Sequence, residues 1–180
     1  MSEPVLRPIR AGDDAAIAAV IRDVMTEHGC SGPGFAIHDA EVAAMSRHYA
    51  GRDAQYWVVE LDGAVVGGAG FARLAGSEPA AATCELRKMY FRPVVRGRGL
   101  GAHLLAKLLD EMRGAGFRHC YLETTTQMVK AQDLYRRFGF VERCGSQGAT
   151  GHFGCDRFFV RDLDDRDRRD ADAMGSSRPQ

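Results

Sequence analysis

Apolar residues along this chain change period several times, and each change marks an element. Ile17, Val20, Ile21 and Val24 fall at i, i+3, i+4 and i+7, the period of one helix face. Asp13 or Asp14 is placed to cap that helix and Gly29 to end it. The run 100–113 repeats the pattern through Leu104, Leu105, Leu108, Leu109 and Met112. Residues 128–138 do so through Ala131, Leu134, Tyr135 and Phe138, with Gly139 as the stop. A shorter helix is predicted over 38–49. Extended apolar runs at 5–9, 56–59, 65–71, 84–91, 119–123, 140–144 and 156–161 predict seven strands. Asp62-Gly63 joins the second and third as a hairpin. Gly67, Gly68 and Gly70 thin the third strand and imply close packing on its face. Pro93 stops the fourth.

The order β-α-α-β-β-β-α-β-α-β-β predicts a single α/β (α+β) domain over residues 1–163. Its sheet is mixed and mostly antiparallel, flanked by four helices, with one β-α-β crossover at its centre. From 164 to 180 acid and base alternate without hydrophobic period, predicting a disordered tail. Of 180 residues 45% are hydrophobic, enough for a core. Twenty-four basic and 24 acidic residues leave no overall field for nucleic acid. No run is long and apolar enough for a membrane span, and Met1-Ser2-Glu3-Pro4 lacks a signal-peptide core, which predicts a cytoplasmic protein. The five cysteines are odd in number and lack C-x-x-C spacing, so they are expected to be structural thiols, with no metal.

Charge becomes informative locally. Arg87, Lys88, Arg92, Arg96 and Arg98 crowd around the run Arg96-Gly97-Arg98-Gly99-Leu100-Gly101-Ala102 at a helix start. Three glycines let backbone N–H groups approach a ligand, and a helix N-terminus adds unpaired donors and positive dipole. The expectation is a phosphate clamp with Arg96 and Arg98 as added cations. The run also satisfies G-x-G-x-x-A, with Glu123 where a ribose-binding acid would stand. Five residues between strand and first glycine, and only one β-α-β unit, count against a dinucleotide site. No Gly-Lys-Ser/Thr follows, which excludes a P-loop.

Arg96-x-x-Gly99-x-Gly101 resembles the (Gln/Arg)-x-x-Gly-x-(Gly/Ala) signature of the GNAT superfamily of acetyl-CoA-dependent N-acetyltransferases. Residues 86–93 resemble that family's fourth strand, and Ala131-Gln132-Asp133-Leu134-Tyr135-Arg136-Arg137-Phe138-Gly139-Phe140 its A-x-x-L-Y-x-x-x-G-F motif. The resemblance implies a seven-stranded sheet splayed between strands 4 and 5, with acetyl-CoA as co-substrate. It implies that backbone from Arg96 through Gly97, Arg98, Gly99, Leu100, Gly101 and Ala102 holds the pyrophosphate. Met89, Tyr90 and Phe91 would lie along pantetheine, and Tyr135 beside the thioester sulfur. Met128 stands where many members carry Asn.

Transfer to an amine needs a neutral amine, an oxyanion site and a proton for the thiolate. Backbone N–H groups on strand 4, splayed where Pro93 breaks the ladder, are expected to supply the second. Tyr135 is the candidate general acid; its helical face equally suits a core tyrosine. Glu85 is the candidate base, with Glu123 or a water as rivals. Loops 30–38, 76–82 and 145–156, the last carrying His152 and Asp156, are expected to choose the acceptor. A small-molecule amine or amino acid is the expected partner, with room for a homodimer but no legible interface. The opposing reading is a non-catalytic acyl-CoA-binding sensor of the same fold.

Overall fold

Seven strands share one sheet in the order β1-β2-β3-β4-β5-β7-β6 in the computed structural model, which describes residues 2–164. They are β1 (Val5–Pro8), β2 (Ala54–Leu61), β3 (Ala64–Arg73), β4 (Thr83–Phe91), β5 (His119–Thr124), β6 (Val141–Arg143) and β7 (Arg157–Asp162). Four helices flank it: α1 (Asp14–Glu27), α2 (Met45–His48), α3 (Leu100–Gly114) and α4 (Val129–Arg137). The expected α/β domain, mixed and mostly antiparallel, is the one observed. The 164–180 tail, apart from Asp164, lies outside the described residues.

Both faces of the sheet are covered. On one, Leu104, Leu105, Leu108, Leu109 and Met112 of α3 pack with Phe71, Leu86, Leu122, Tyr135, Phe138 and Phe159. On the other, Ile17, Val20, Ile21 and Val24 of α1 meet Met45, Tyr49, Tyr56 and Val58. Each fully buried aliphatic side chain contributes about 2 kcal/mol of burial, so the two apolar stripes read from sequence are what seat the helices. Asp62 (φ 52°) and Gly63 (φ 79°) both take left-handed angles, the geometry of a tight hairpin turn. A Cβ on Gly70 would lie 2.4 Å from the Gln55 carbonyl oxygen and 2.5 Å from the Tyr56 ring, which explains the thinned third strand.

Three local expectations are corrected. Residues 38–49 are two 3₁₀ turns and the four-residue α2, because Asp39 (ψ 131°) and Ala44 (φ −148°) leave the helical region. Neither Asp13 nor Asp14 caps α1. The Asp13 carboxylate instead accepts the Arg7 guanidinium and the Arg10 N–H, and that of Asp14 accepts the Ser46 N–H and hydroxyl.

The third correction bears on the site. The parallel β4–β5 ladder pairs Thr83, Cys84 and Glu85 with His119, Cys120 and Tyr121 and then ends, eight residues before Pro93. The cause is a bulge. Gly68 pairs with Tyr90 and Gly70 with Arg87, so Lys88 and Met89 together oppose Ala69. Lys88 takes φ 52°, and its carbonyl accepts the buried Tyr56 hydroxyl at 2.7 Å. A β-bulge bends its strand and strengthens local twist, so β4 leaves β5 there.

Candidate functional site

The parted strands open a cleft, and its two ends are built differently. At the end beyond β4, the chain makes a 3₁₀ turn at Pro93–Val95 and then the glycine run. Gly97 (φ 75°) and Gly99 (φ 74°) hold left-handed angles that side-chain-bearing residues adopt only with strain. The N–H groups from Gly97 to Ala102 have no hydrogen-bond acceptor among the described residues, and Gly99 begins α3 without a side-chain cap. Successive donors of this kind at a helix N-terminus form an anion-binding concavity.

The cations expected around it are differently employed. The Arg96 N–H donates to the Pro93 carbonyl, its Nε to the Phe91 carbonyl, and its guanidinium forks onto Glu27 at 2.6 and 2.7 Å. Arg96 is a strut from the loop to α1. Arg87 pairs with Glu85 and Glu41, Lys88 with Asp39 and Glu41, and Arg92 with Asp23. Arg98 alone of the five carries no ion pair among the described residues, and it is exposed. The sequence-level excess of positive charge is therefore largely neutralised. The donors that remain are the backbone and Arg98.

Along the middle, Met89, Tyr90 and Leu86 line the cleft on a stretch of β4 that has lost its β5 partner. Facing them are Tyr135 of α4, with Thr124, Thr125 and Met128. Tyr135 is built into the core and also lines the cleft. Its ring packs edge-on against Phe140 and tilted against Phe159 in the core, and its hydroxyl makes no hydrogen bond among the described residues. Burial pushes its pKa above the ordinary tyrosine range, so the hydroxyl keeps its proton at neutral pH.

At the far end of the same pocket stands a buried cluster of charge. Glu85 and Glu123 have side chains only 3% and 2% exposed. Arg87 Nε donates to Glu85 Oε2 at 2.7 Å, and the Tyr121 and Thr150 hydroxyls donate to Glu123 at 2.7 and 3.0 Å. Between the two glutamates, His152 Nδ1 lies 3.5 Å from Glu123 Oε2 and 3.8 Å from Glu85 Oε1. Its Nε2 meets Asp39 at 3.0 Å. Burial opposes charging the ring, but the bonds to Asp39 and Glu123 outweigh it and lift the pKa to about 9. Burial raises the Glu85 pKa, with Arg87 and His152 offsetting part of the shift. Asp39 ends below the usual carboxylate range, because His152 and Lys88 outweigh its burial.

Glu85, Glu123 and His152 each bring one donor atom within 4.8 Å of the others, a spacing a cation could bridge, which the cysteine pattern could not foretell. Arg87 and the protonated ring compete for the same carboxylates. All five cysteines are free: Cys30, Cys84 and Cys120 buried, Cys155 half-buried at the cleft wall and Cys144 exposed. Asp156 points elsewhere, accepting the Thr126 N–H and hydroxyl. Asp39 and Glu41 carry no signal in the sequence, and Lys88, expected beside the glycine run, turns to them instead. No period or motif marks an acid in an irregular loop, and Lys88 is re-aimed by a bulge.

Two loops close this end. Gly154 N–H donates to the Gly34 carbonyl at 3.0 Å. The Phe153 ring lies where a Cβ on Gly34 would be, and the Phe35 ring where one on Gly154 would be. Of the three loops expected to choose the acceptor, 30–38 and 145–156 therefore meet at the cleft, through Phe35 and His152.

The described residues contain no helix long and apolar enough to cross a membrane. Residues 21–140 match the family model described as "Acetyltransferase (GNAT) family". The chain is 41% identical over 161 residues to the N-acetyltransferase YjgM of Escherichia coli, covering 89% of this chain and 95% of that protein. It is 35% identical over 105 residues to the N-alpha-acetyltransferase RimI of Mycobacterium tuberculosis, 58% of this chain and 59% of that one. A GNAT acetyltransferase of Staphylococcus aureus superposes with a TM-score of 0.75 at 19% identity, covering 89% and 99% of the two chains. The acetyltransferase yncA of Salmonella typhimurium, solved with acetyl-CoA, gives 0.69 at 22% identity, covering 92% and 97%. With the sheet order, the splay between β4 and β5 and this likeness over most of its length, the chain belongs to the GNAT family of acetyltransferases.

Proposed function

We propose that this acyltransferase moves an acetyl group from acetyl-CoA to a primary amine of a small molecule or amino acid, by direct attack within a ternary complex. The observation that carries the reading is the cleft itself: a backbone anion site at one end and buried carboxylates at the other, with a parted strand edge between. The N–H groups from Gly97 to Ala102, with Arg98, fit a diphosphate. The freed edge of β4 at Met89 and Tyr90 fits an extended amide-bearing arm. Phe91 contributes less, since its carbonyl is taken by Arg96.

On the acceptor side, Glu85 and Glu123 draw in an ammonium, and Glu85 takes its proton, directly or through one water, leaving the nitrogen lone pair free to attack the thioester carbonyl. Backbone N–H groups on the unpaired stretch of β4 stabilise the oxyanion. As the C–S bond breaks, the Tyr135 hydroxyl protonates the departing thiolate, and the second proton of the attacking nitrogen passes to the Tyr135 oxygen, directly or through water, as the amide forms. The 30–38 and 145–156 loops meeting over this end support a compact acceptor. Met128, at the start of α4, lines the cleft with a thioether where an amide donor would otherwise stand.

The test is a panel of amines and amino acids assayed for free-thiol release from acetyl-CoA. Turnover with at least one compact amine, lowered about 30-fold in kcat by Tyr135→Phe at saturating acetyl-CoA, supports the reading. Tight coenzyme A binding without turnover on any amine points to a sensor instead. Full activity in Tyr135→Phe removes the general-acid assignment alone.

A further inference from the structure

We propose that His152 is a positioning residue: a cationic wedge between Glu85 and Glu123 that keeps both carboxylates ionised, so that an acceptor ammonium meets two negative groups and not a shared proton. The proposal rests on the amine-transfer reading above and adds what holds its base ready.

Geometry makes the ring a cation. Nε2 faces Asp39 at 3.0 Å, and Nδ1 faces Glu123 at 3.5 Å and Glu85 at 3.8 Å. A neutral imidazole has one donor and one acceptor nitrogen, so ionised carboxylates on both sides are matched only by the doubly protonated ring. The two glutamates present oxygens within 4.8 Å of each other in a place almost sealed from water. Two carboxylates so placed do not both ionise near neutral pH unless a positive charge intervenes; one keeps its proton and ceases to be a base.

The other groups facing this ring do not replace it. From β4, Arg87 binds Glu85 through Oε2 and leaves Oε1 toward the histidine. From β5, the Tyr121 hydroxyl reaches Glu123 as a neutral donor, and Thr150 of the ring's own loop does the same. From the 39–43 segment, Asp39 holds the far nitrogen and is itself held by Lys88, which also binds Glu41. Cys155, whose thiol burial pushes up to about 12, is neutral at the cleft wall, and Cys30 lies beside Thr125. Asp156, in the same loop, is engaged with Thr126. His152 is thus the cation that touches both glutamates at once. The same ring ties the 145–156 loop to the 39–43 segment, so the charge and the closed wall depend on one contact.

The test is a carboxyl-carbon NMR titration of the free protein, which needs no acetyl transfer and so stands apart from the functional reading. Wild type is expected to show the chemical shifts of two carboxylates, and no carboxylic acid, for this pair at neutral pH. In His152→Gln the midpoint of one of the two rises by at least one pH unit. The acid limb of kcat/KM moves with it, giving about a tenfold loss at a pH one unit below the new midpoint and recovery toward wild type at high pH. His152→Lys, which returns a cation, draws the limb back. The proposal is overturned if wild type already holds one of these carboxyls protonated at neutrality, or if His152→Gln lowers activity equally at every pH.

Discussion

The two ends of the cleft are built from opposite materials. The glycine-run end uses main-chain N–H groups from six consecutive residues, Gly97 to Ala102, and its side chains are mostly absent or turned to other work. The acidic end uses side chains from four separate places: Asp39 and Glu41 after α1, Glu85 and Lys88 on β4, Glu123 on β5 and His152 between β6 and β7. A main-chain site is tolerant of side-chain change but intolerant of altered φ. A side-chain site is the reverse, because each buried charge depends on a partner remote in sequence.

The sharpest way to break that contrast is Glu85→Gln. It keeps the shape and removes the charge, and is expected to lower kcat/KM by about 10³-fold with acetyl-CoA binding unchanged, read by steady-state kinetics and calorimetry. A small loss would shift the base to Glu123 or to water. Next in size is Lys88→Met. Its side chain is 1% exposed and bridges Asp39 and Glu41 at 2.6 Å, so its removal leaves two half-buried carboxylates without their cation. A loss of about 3 kcal/mol is expected in denaturant unfolding. A loss near zero would mean that water or His152 already satisfies those acids.

A third effect is smaller and depends on pH. The folded His152 pKa, about 9, lies above the ordinary value of 6.5. Its contribution is therefore fully present below pH 6.5 and is lost as pH rises through 9, to the extent of about 2 kcal/mol after solvent screening. Thermal melts of wild type against His152→Gln should converge over that window; curves that stay parallel would remove the assignment. Least of all should be Arg98→Ala, expected to raise the KM for acetyl-CoA about threefold and to be masked by salt, since the main chain carries the anion. If Arg98→Ala proved worse than Glu85→Gln, the contrast between the ends would be the wrong way round.

Much of this molecule was legible before any tertiary contact. Helical stripes through Ile17–Val24 and Leu104–Met112, the Asp62-Gly63 turn and the stops at Gly29 and Gly139 are local patterns, and each element formed where its period placed it. The shape of the glycine loop was legible for the same reason: φ above zero at Gly97 and Gly99 and a helix start at Leu100 are properties of neighbours. The segment 38–49 was not, because Asp39 and Glu41 give up helix to reach Lys88 on another element. Nor was the role of Arg96, which looked like a ligand cation until Glu27, 69 residues away, was found beneath it.

The chain's own pattern thus determined the elements, their order and the main-chain donor loop, since hydrophobic period, turn chemistry and glycine conformations act within a few residues. Only the folded sheet decided where β4 and β5 part, which of five clustered cations stays unpaired, and which acids meet His152. Those outcomes turn on a bulge at Lys88 and on charges brought together from 39 to 152. Coulomb energy and burial depend on distances in space that no local spacing encodes.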